Sequence, residues 1–154
     1  MCVRLFSVFS VGIAVFLLQF FGINAPTAKA GVSDVVPMLS SSGGYYRAGG
    51  ASLKGADCSG LVSVAQSIAM GAPPRRLGST RTLLAGRWPH AIPGASRDNT
   101  FVIGVNGGHM AAKVNGVRIE ARSSGEPFLI GPAAASPWDS QFTAQYHIDE
   151  SVLR

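Results

Sequence analysis

The chain has 154 residues, a hydrophobic fraction of 47% and a net charge of +5 at pH 7. This length allows one ordinary domain rather than two. Nucleic-acid binding is not indicated, because Lys and Arg form no run beyond Arg75-Arg76 and no dense basic patch with aromatics is present. The mild positive charge would suit an anionic polymer such as a cell wall, through long-range attraction.

Residues 1–30 have the pattern of a secretory signal peptide. Arg4 precedes an uncharged segment that contains the apolar run 13–18, and Ala28-Lys29-Ala30 supplies the small-x-small triplet of a cleavage site. We therefore predict cleavage after Ala30, a secreted or cell-envelope protein, and a single domain at 31–154. The alternative is an uncleaved membrane anchor, since the apolar stretch is nearly long enough to span a bilayer.

The cysteine count points to a single thiol in the exported domain. Of the 2 cysteines, Cys2 lies in the signal segment and Cys58 is the only one beyond it. An intramolecular disulfide is therefore excluded in the processed chain, and a lone exported thiol is a candidate reactive group. The alternative is a buried cysteine that packs as a small hydrophobic residue.

The first predicted element is a helix over 32–39. Ser33 or Asp34 is the candidate N-cap, and Pro37 is expected to shorten the helix. The following residues, 40–50, are rich in Ser and Gly and predict a loop.

A second helix is predicted over 59–70, with Asp57 as its N-cap and Gly71 at its end. Its apolar stripe has helical spacing and consists of Leu61, Val62, Ala65, Ile68 and Ala69. Residues 75–99 predict irregular structure with one short helix near 79–85.

Strand patterns dominate from Thr100 onward. The predicted strands are 100–105, 109–114, 117–121, 128–130 and 142–148. A helical half followed by an antiparallel meander predicts an α+β fold in which the helix packs on one face of the sheet.

Asp57-Cys58-Ser59-Gly60 is the stretch with the clearest chemistry. At the start of a helix, free backbone N–H groups and the helix dipole favour a thiolate, which is the nucleophilic form of cysteine. The same N–H groups can donate to the oxyanion that forms when a carbonyl is attacked. A capped helix that merely begins with cysteine remains the alternative.

A thiolate needs a proton acceptor and donor, and the chain has three histidines: His90, His109 and His147. His109 follows Asn106-Gly107-Gly108, so a tight turn would present it at the end of a strand. These residues alone leave the choice open. A metal site is not predicted, because one cysteine and three scattered histidines lack ligand spacing.

Two stretches of the chain resemble the NlpC-type cell-wall cysteine peptidases. The first stretch is Tyr46-x-x-Gly49-Gly50, which is followed after six residues by Asp57-Cys58-Ser59-Gly60-Leu61-Val62. The second stretch is a predicted hairpin that consists of His109-Met110-Ala111-Ala112, the turn Asn115-Gly116, and Ile119-Glu120-Ala121. The resemblance implies a reduced papain-like α+β fold. It also implies hydrolysis of peptidoglycan stem peptides at the γ-D-glutamyl–diaminopimelate bond, without a metal or organic cofactor.

The resemblance also implies roles for individual residues. Cys58 would be the nucleophile, His109 the general base and then acid, and Glu120 the group that orients the imidazole. Tyr46 and Ser59 are the candidate substrate or oxyanion residues. The expected partner is a peptidoglycan stem peptide, and we expect a monomer.

Glu120 has a simpler alternative role as an exposed strand residue that pairs with Arg118 or Arg122. Ile119 and Ala121 are expected to face the core, which puts Glu120 on the opposite face of the strand. His109 must share that face for the pair to form.

The chain departs from the family pattern in several places. Ala48 stands where the family often has an aromatic residue, and the segment 99–104 lacks the usual Asp-Leu pair. The tail 131–147 is similar to an actinobacterial and phage-associated branch. Two other functions stay open: an exported peptidoglycan-binding domain without turnover, and a CHAP-type amidase that cuts the sugar–peptide bond.

Overall fold

The computed structural model describes residues 29–154. The predicted signal peptide lies almost entirely outside the described residues. Within residues 29–154, no helix is both long enough and apolar enough to cross a bilayer.

The first helix, α1 (Val32–Ser42), is longer than predicted. Its N-cap is Gly31 rather than Ser33 or Asp34, and the Asp34 carboxylate accepts the Gly31 N–H at 2.8 Å from within the first turn. Pro37 does not shorten the helix. It is exposed and removes one backbone hydrogen bond, while buried Val35 and Leu39 hold the next turn against the core.

The central helix, α2 (Cys58–Ala69), agrees with the prediction to within one residue at each end. Asp57 is its N-cap as predicted, because the carboxylate accepts the Gly60 N–H at 2.7 Å. The helix is buried almost all round because α1 covers one side and the sheet strands cover the other. The short helix α3 (Thr80–Leu84) also lies where it was predicted.

A small sheet follows α1, and its first strand lies within residues 40–50, which were predicted to be a loop. It consists of β1 (Tyr45–Tyr46), β2 (Ala51–Ser52) and β3 (Gly55–Ala56), in the order β1-β3-β2. Strands of two residues leave no periodic pattern in a sequence, so the loop prediction was wrong at β1. It was also wrong at 40–42, which belong to α1.

The main sheet has six antiparallel strands in the order β4-β9-β5-β6-β7-β8. The strands are β4 (Ala91–Pro93), β5 (Phe101–Val105), β6 (Met110–Val114), β7 (Val117–Glu120), β8 (Leu129–Ile130) and β9 (Ala144–Ile148). The predicted meander is confirmed from β5 to β8. The sequence did not predict β4, a short edge strand in a Pro- and Gly-rich segment that pairs only with β9.

The two faces of the main sheet have different coverings. On the inner face, Met110, Ala112 and Ile119 are fully buried in the core that includes α2. The predicted α+β class, with the Cys58 helix packed on an antiparallel sheet, is therefore confirmed.

The outer face is covered by the chain between β8 and β9, residues 131–143, which we call the outer segment. It approaches β5 so closely that a Cβ at Gly104 would lie 2.5 Å from the Pro137 carbonyl oxygen. Trp138 anchors the same segment, because Arg97 and Lys113 place their cationic groups 5.0 and 5.1 Å from the centre of its ring.

Candidate active site

Cys58 is the first residue of α2 and is partly exposed. The first N–H groups of a helix have no intrahelical partner. Asp57 accepts the Gly60 N–H, which leaves the N–H groups of Cys58 and Ser59 for a ligand at this helix end. These groups and the helix dipole can stabilise a thiolate and an oxyanion beside it.

His109 and Glu120 face each other across the β6–β7 hairpin. Lys113 of β6 pairs directly with Arg118 of β7, so these two side chains share one face of the sheet. Side chains alternate between the faces, so His109, four residues before Lys113, and Glu120, two residues after Arg118, lie on the same face as that pair. His109 Nε2 lies 2.8 Å from Glu120 Oε1, and Glu120 is only 3% exposed. The alternative of an exposed Glu120 paired with Arg118 or Arg122 is therefore not the arrangement found.

The protonation of His109 depends on both neighbours. The neighbouring Cys58 raises the pKa of His109 most, burial acts in the opposite direction, and the hydrogen bond to Glu120 raises the pKa again. Because Nε2 is taken by Glu120, Nδ1 is the ring nitrogen left to face the sulfur. The raised pKa of His109 favours an imidazolium between two acidic groups.

Two residues that sequence reasoning missed hold the His109 side chain and backbone. Asn106 Oδ1 accepts the N–H groups of Gly108 and His109 at 2.9 and 2.8 Å, and its amide donates to the Gln141 carbonyl at 2.8 Å. Buried Phe142 stacks on the imidazole with the ring centroids 6.1 Å apart. Asn106 was visible only as part of a turn, and nothing in the sequence linked Phe142 to His109.

The outer segment also fixes Glu120. The Ala135 N–H donates to Glu120 Oε2 at 2.8 Å, while Oε1 contacts His109. Both carboxylate oxygens thus have a partner, which offsets the cost of burying the charge.

A second network surrounds the start of α2 and centres on Arg76. Its guanidinium donates to Asp57 Oδ2 at 2.9 Å, to Ser59 Oγ at 2.9 Å and to the Gly50 carbonyl at 2.6 Å. The lack of a side chain at Gly60 allows the Gly50 carbonyl to lie against the first turn of α2, because a Cβ at Gly60 would overlap the Gly50 carbonyl oxygen. Sequence analysis put Arg76 in an irregular segment and gave it no role.

This network determines the charge of the N-cap. Burial raises the pKa of Asp57, but hydrogen bonds from the Gly60 N–H, from Arg76 and from Ser59 outweigh burial and hold the pKa below its usual value. Asp57 therefore stays ionised beside Cys58.

The two candidate substrate or oxyanion residues are both close to Cys58. Tyr46 is partly exposed on β1, and its pKa is raised by burial first and then by the nearby charges of Cys58 and Asp57. Ser59 is 5% exposed, and its hydroxyl is already bonded to Asp57 and Arg76. Any contact of Ser59 with a substrate would therefore run through its backbone N–H.

The other histidines lie elsewhere in the fold. His147 lies on β9, where its Nδ1 is 2.7 Å from the Gly94 carbonyl oxygen. His90 is exposed and adopts a left-handed backbone conformation with φ of 60°. Of the three histidines, the structure brings only His109 to Cys58.

A cleft of about 730 Å³ adjoins His109 and Glu120 on the outer face of the sheet. Its charged lining residues also include Arg118, Arg122 and Asp139, and the outer segment forms one wall. Within residues 29–154, no group of three or more His, Cys, Asp or Glu side chains is arranged to hold a metal ion.

Similarity to known proteins is found among solved structures. No family model and no curated protein matches the chain. Among solved structures, the chain is similar to a crystal structure of the NlpC/p60 domain of the peptidoglycan hydrolase SagA. The two are 19% identical, the alignment covers 78% of this chain and 99% of that one, and the TM-score is 0.49.

Proposed function

We propose that this chain is an exported cysteine endopeptidase that hydrolyses peptidoglycan stem peptides at the γ-D-glutamyl–diaminopimelate bond. One arrangement carries the proposal: Cys58 begins α2 and lies close enough to His109 to raise its pKa, and His109 Nε2 lies 2.8 Å from buried Glu120. This arrangement has the parts of a nucleophile, a base and a group that orients the base.

In the first half of the reaction, the Cys58 thiolate attacks the carbonyl carbon of the scissile amide. The oxyanion that forms accepts hydrogen bonds from the N–H groups at the start of α2. His109 then protonates the leaving amine, the C–N bond breaks, and the acyl group remains on sulfur as a thioester.

In the second half, water replaces the amine. Neutral His109 takes a proton from the water as it attacks the thioester, and the C–S bond breaks to give the free carboxylic acid and the thiolate. Glu120 acts through His109 as a positioning residue, because its carboxylate fixes the ring and stabilises the imidazolium.

The substrate class is supported by the sequence resemblance at Tyr46 to Gly50 and at Asp57 to Val62. The signal-peptide pattern and the mildly positive charge suit work on an exported anionic polymer. Tyr46, close to Cys58, is suited to contact the acyl part of the substrate.

The test is digestion of purified diaminopimelate-type peptidoglycan by the secreted protein, with mass analysis of the fragments. We expect fragments that end in D-glutamate and new amino termini on diaminopimelate. Cys58→Ala, which removes the nucleophile, should abolish hydrolysis without changing the circular dichroism spectrum. A sugar–peptide cut would indicate an amidase, and tight binding without cleavage would indicate a binding domain.

A further inference from the structure

Asp57 caps the helix that presents Cys58, and its negative charge opposes a thiolate there. The carboxylate accepts the Gly60 N–H at 2.7 Å and the Gly49 N–H at 3.0 Å. Its lowered pKa keeps it ionised at neutral pH. Because Asp57 directly precedes Cys58 in the chain, this carboxylate is a like charge beside the sulfur and disfavours the thiolate form.

The charge of this carboxylate reaches the surroundings of the thiol. Burial raises the pKa of Tyr46 most, and the charges of Cys58 and Asp57 raise that pKa further. Tyr46 therefore lies within electrostatic range of both groups. An uncharged asparagine would cap a helix about as well as aspartate does. The carboxylate at this position thus carries a cost for a thiolate that only a counter-charge can offset.

Arg76 supplies that counter-charge. Its Nη2 lies 2.9 Å from Asp57 Oδ2, and the same guanidinium donates to Ser59 Oγ and to the Gly50 carbonyl. Of the salt bridges that the structure gives for residues 29–154, this is the one that includes Asp57. The side chains of Arg76 and Asp57 are 34% and 17% exposed, so salt and water screen the pair only in part.

The other ionisable groups around Cys58 have different partners. His109 is the second cation, but it lies at the start of the sheet hairpin, and its Nε2 contacts the Glu120 carboxylate at 2.8 Å. Tyr46 is uncharged at neutral pH, since its pKa is raised from an already high value. Arg76 is therefore the cation that faces the capping carboxylate at the start of α2.

Resting on the proposed function, we propose that Arg76 is a positioning residue that favours the thiolate form of Cys58 by neutralising the Asp57 carboxylate. Arg76 acts through Asp57 and does not need to touch the substrate. Its hydrogen bonds also hold the Gly50 carbonyl and Ser59 in place. The effect of its charge therefore has to be separated from the effect of its hydrogen bonds on the fold.

The pH dependence of Cys58 alkylation by iodoacetamide measures the charge effect without a substrate. Arg76→Gln removes the counter-charge of Asp57, so the midpoint of the alkylation profile should move to higher pH by about half a unit or more. Arg76→Lys keeps the charge and should keep the midpoint near that of the wild-type protein. Arg75→Gln is the matched control, because it removes one exposed positive charge from the neighbouring position and should not move the midpoint.

Substitution of the carboxylate separates the charge effect from folding. Asp57→Asn retains an oxygen that can accept the Gly60 N–H, so the helix keeps its cap. Alone, it should move the alkylation midpoint of Cys58 to lower pH, because the Arg76 charge is then in excess. Combined with Arg76→Gln, it should return the midpoint most of the way to the wild-type value.

Two results would overturn the role of Arg76. One is an Arg76→Gln protein with a native circular dichroism spectrum and a wild-type alkylation midpoint. The other is an Asp57→Asn protein whose midpoint stays at the wild-type value, and this variant gives an answer even if Arg76→Gln does not fold. An Arg76→Lys midpoint as high as that of Arg76→Gln would likewise show that the hydrogen bonds, and not the charge, matter.

Hydrolysis of stem peptides separates this role from the proposed function. In Arg76→Gln, the acid limb of the kcat/KM profile should move to higher pH together with the alkylation midpoint. Alkylation shifts of the expected sign without hydrolysis by the wild-type protein would keep the role of Arg76 and refute the peptidase. Hydrolysis with an acid limb that Arg76→Gln does not move would keep the peptidase and refute the role of Arg76.

Discussion

At the scale of single residues, the Cys58–His109–Glu120 arrangement depends on one histidine that lies between a thiol and a carboxylate. Glu120 contacts Nε2 at 2.8 Å, so Nδ1 is the ring nitrogen that remains for Cys58. The raised pKa of His109 means that the imidazolium persists to higher pH than an ordinary histidine allows. The pairing of charged His109 with its neighbours stabilises the fold at pH values below the pKa that His109 has in the unfolded chain. This contribution is lost as the pH rises through the higher pKa that His109 has in the folded protein.

The first prediction concerns Glu120. Glu120→Ala should lower kcat/KM by roughly ten- to a thousandfold, which is less than the loss at Cys58, because it removes the proposed orienting group and not the proposed nucleophile. Glu120→Gln should retain more activity, since its amide oxygen can still accept the His109 hydrogen bond.

The pH profile distinguishes orientation from simple destabilisation. Loss of the carboxylate lowers the His109 pKa, so the alkaline limb of the kcat/KM profile should move to lower pH in Glu120→Gln. The measurements are initial rates on a stem peptide across pH and NMR titration of His109. An unchanged alkaline limb would show that Glu120 does not act through the imidazole.

At the scale of secondary-structure elements, the turn between β5 and β6 decides where His109 lies. Asn106 closes this turn by accepting two backbone N–H groups, and its amide ties the turn to the outer segment at Gln141. The Asn106 side chain therefore makes three hydrogen bonds, two within the turn and one to the outer segment.

We predict that Asn106→Ala lowers kcat by roughly tenfold or more, because a small misplacement of His109 misaligns proton transfer. Asn106→Asp should retain more activity, since the carboxylate can still accept both N–H groups. The pH dependence of Cys58 alkylation by iodoacetamide measures the thiolate–imidazolium pair directly. Asn106→Ala should weaken that dependence, and a wild-type alkylation profile would mean that Asn106 is only structural.

The Arg76 network gives the prediction for the start of α2. Arg76→Ala removes one hydrogen-bond donor each from Asp57, Ser59 and the Gly50 carbonyl, and should destabilise the fold by about 1 kcal/mol after allowance for its partial exposure. Arg75→Ala is the matched control, since Arg75 is the exposed neighbour and should cost little.

The same substitution has a pH signature. The lowered pKa of Asp57 contributes stability at pH values above the pKa that Asp57 has in the unfolded chain. This stability is lost as the pH falls through the lower pKa that Asp57 has in the folded protein. Because Arg76→Ala raises that pKa, the acid unfolding midpoint should move to higher pH, as measured by circular dichroism. A shift of the same size in Arg75→Ala would show that general charge, and not the Asp57 contact, is responsible.

The elements also show what the sequence can and cannot predict. α2 and β5 to β7 were predictable because their apolar periodicity follows from burial on a helix face or a sheet face. The strands β1 to β4 were not, because they have only two or three residues each, which is too short to leave a periodic pattern, and β4 in addition pairs only with the distant β9. For the candidate site, local motifs singled out Cys58, His109 and Glu120.

The supporting residues were missed for a related reason. Arg76, Asn106 and Phe142 contact the candidate site from positions that no local motif links to it. Ala135 contributes a backbone N–H, which any residue but proline would supply, so its identity carries no signal. Such contacts follow from tertiary packing and are visible only in the folded chain.

At the scale of the whole molecule, the outer segment contacts His109, Glu120 and the turn that precedes His109. It donates the Ala135 N–H to Glu120, accepts the Asn106 amide at Gln141, and stacks Phe142 on His109. The geometry of the His109–Glu120 pair therefore depends on how this segment packs on the outer face of the sheet.

Gly104 sets that packing and gives the last prediction. A Cβ at Gly104 would lie 2.5 Å from the Pro137 carbonyl oxygen and 2.7 Å from the Phe142 ring, so Gly104→Ala must displace the outer segment. The affected atoms are backbone and a buried ring, which have little room to move, and we expect a loss of about 1–3 kcal/mol of stability.

Activity should fall further than stability explains, because the displaced segment no longer fixes His109 and Glu120. Urea unfolding gives the stability, and kcat measured well below the unfolding midpoint gives the activity of the folded protein. Gly107→Ala is the matched control, since a Cβ there has no atom within 4 Å and should leave both quantities nearly unchanged. A Gly104→Ala variant with wild-type kcat in the folded state would show that the site tolerates movement of the outer segment.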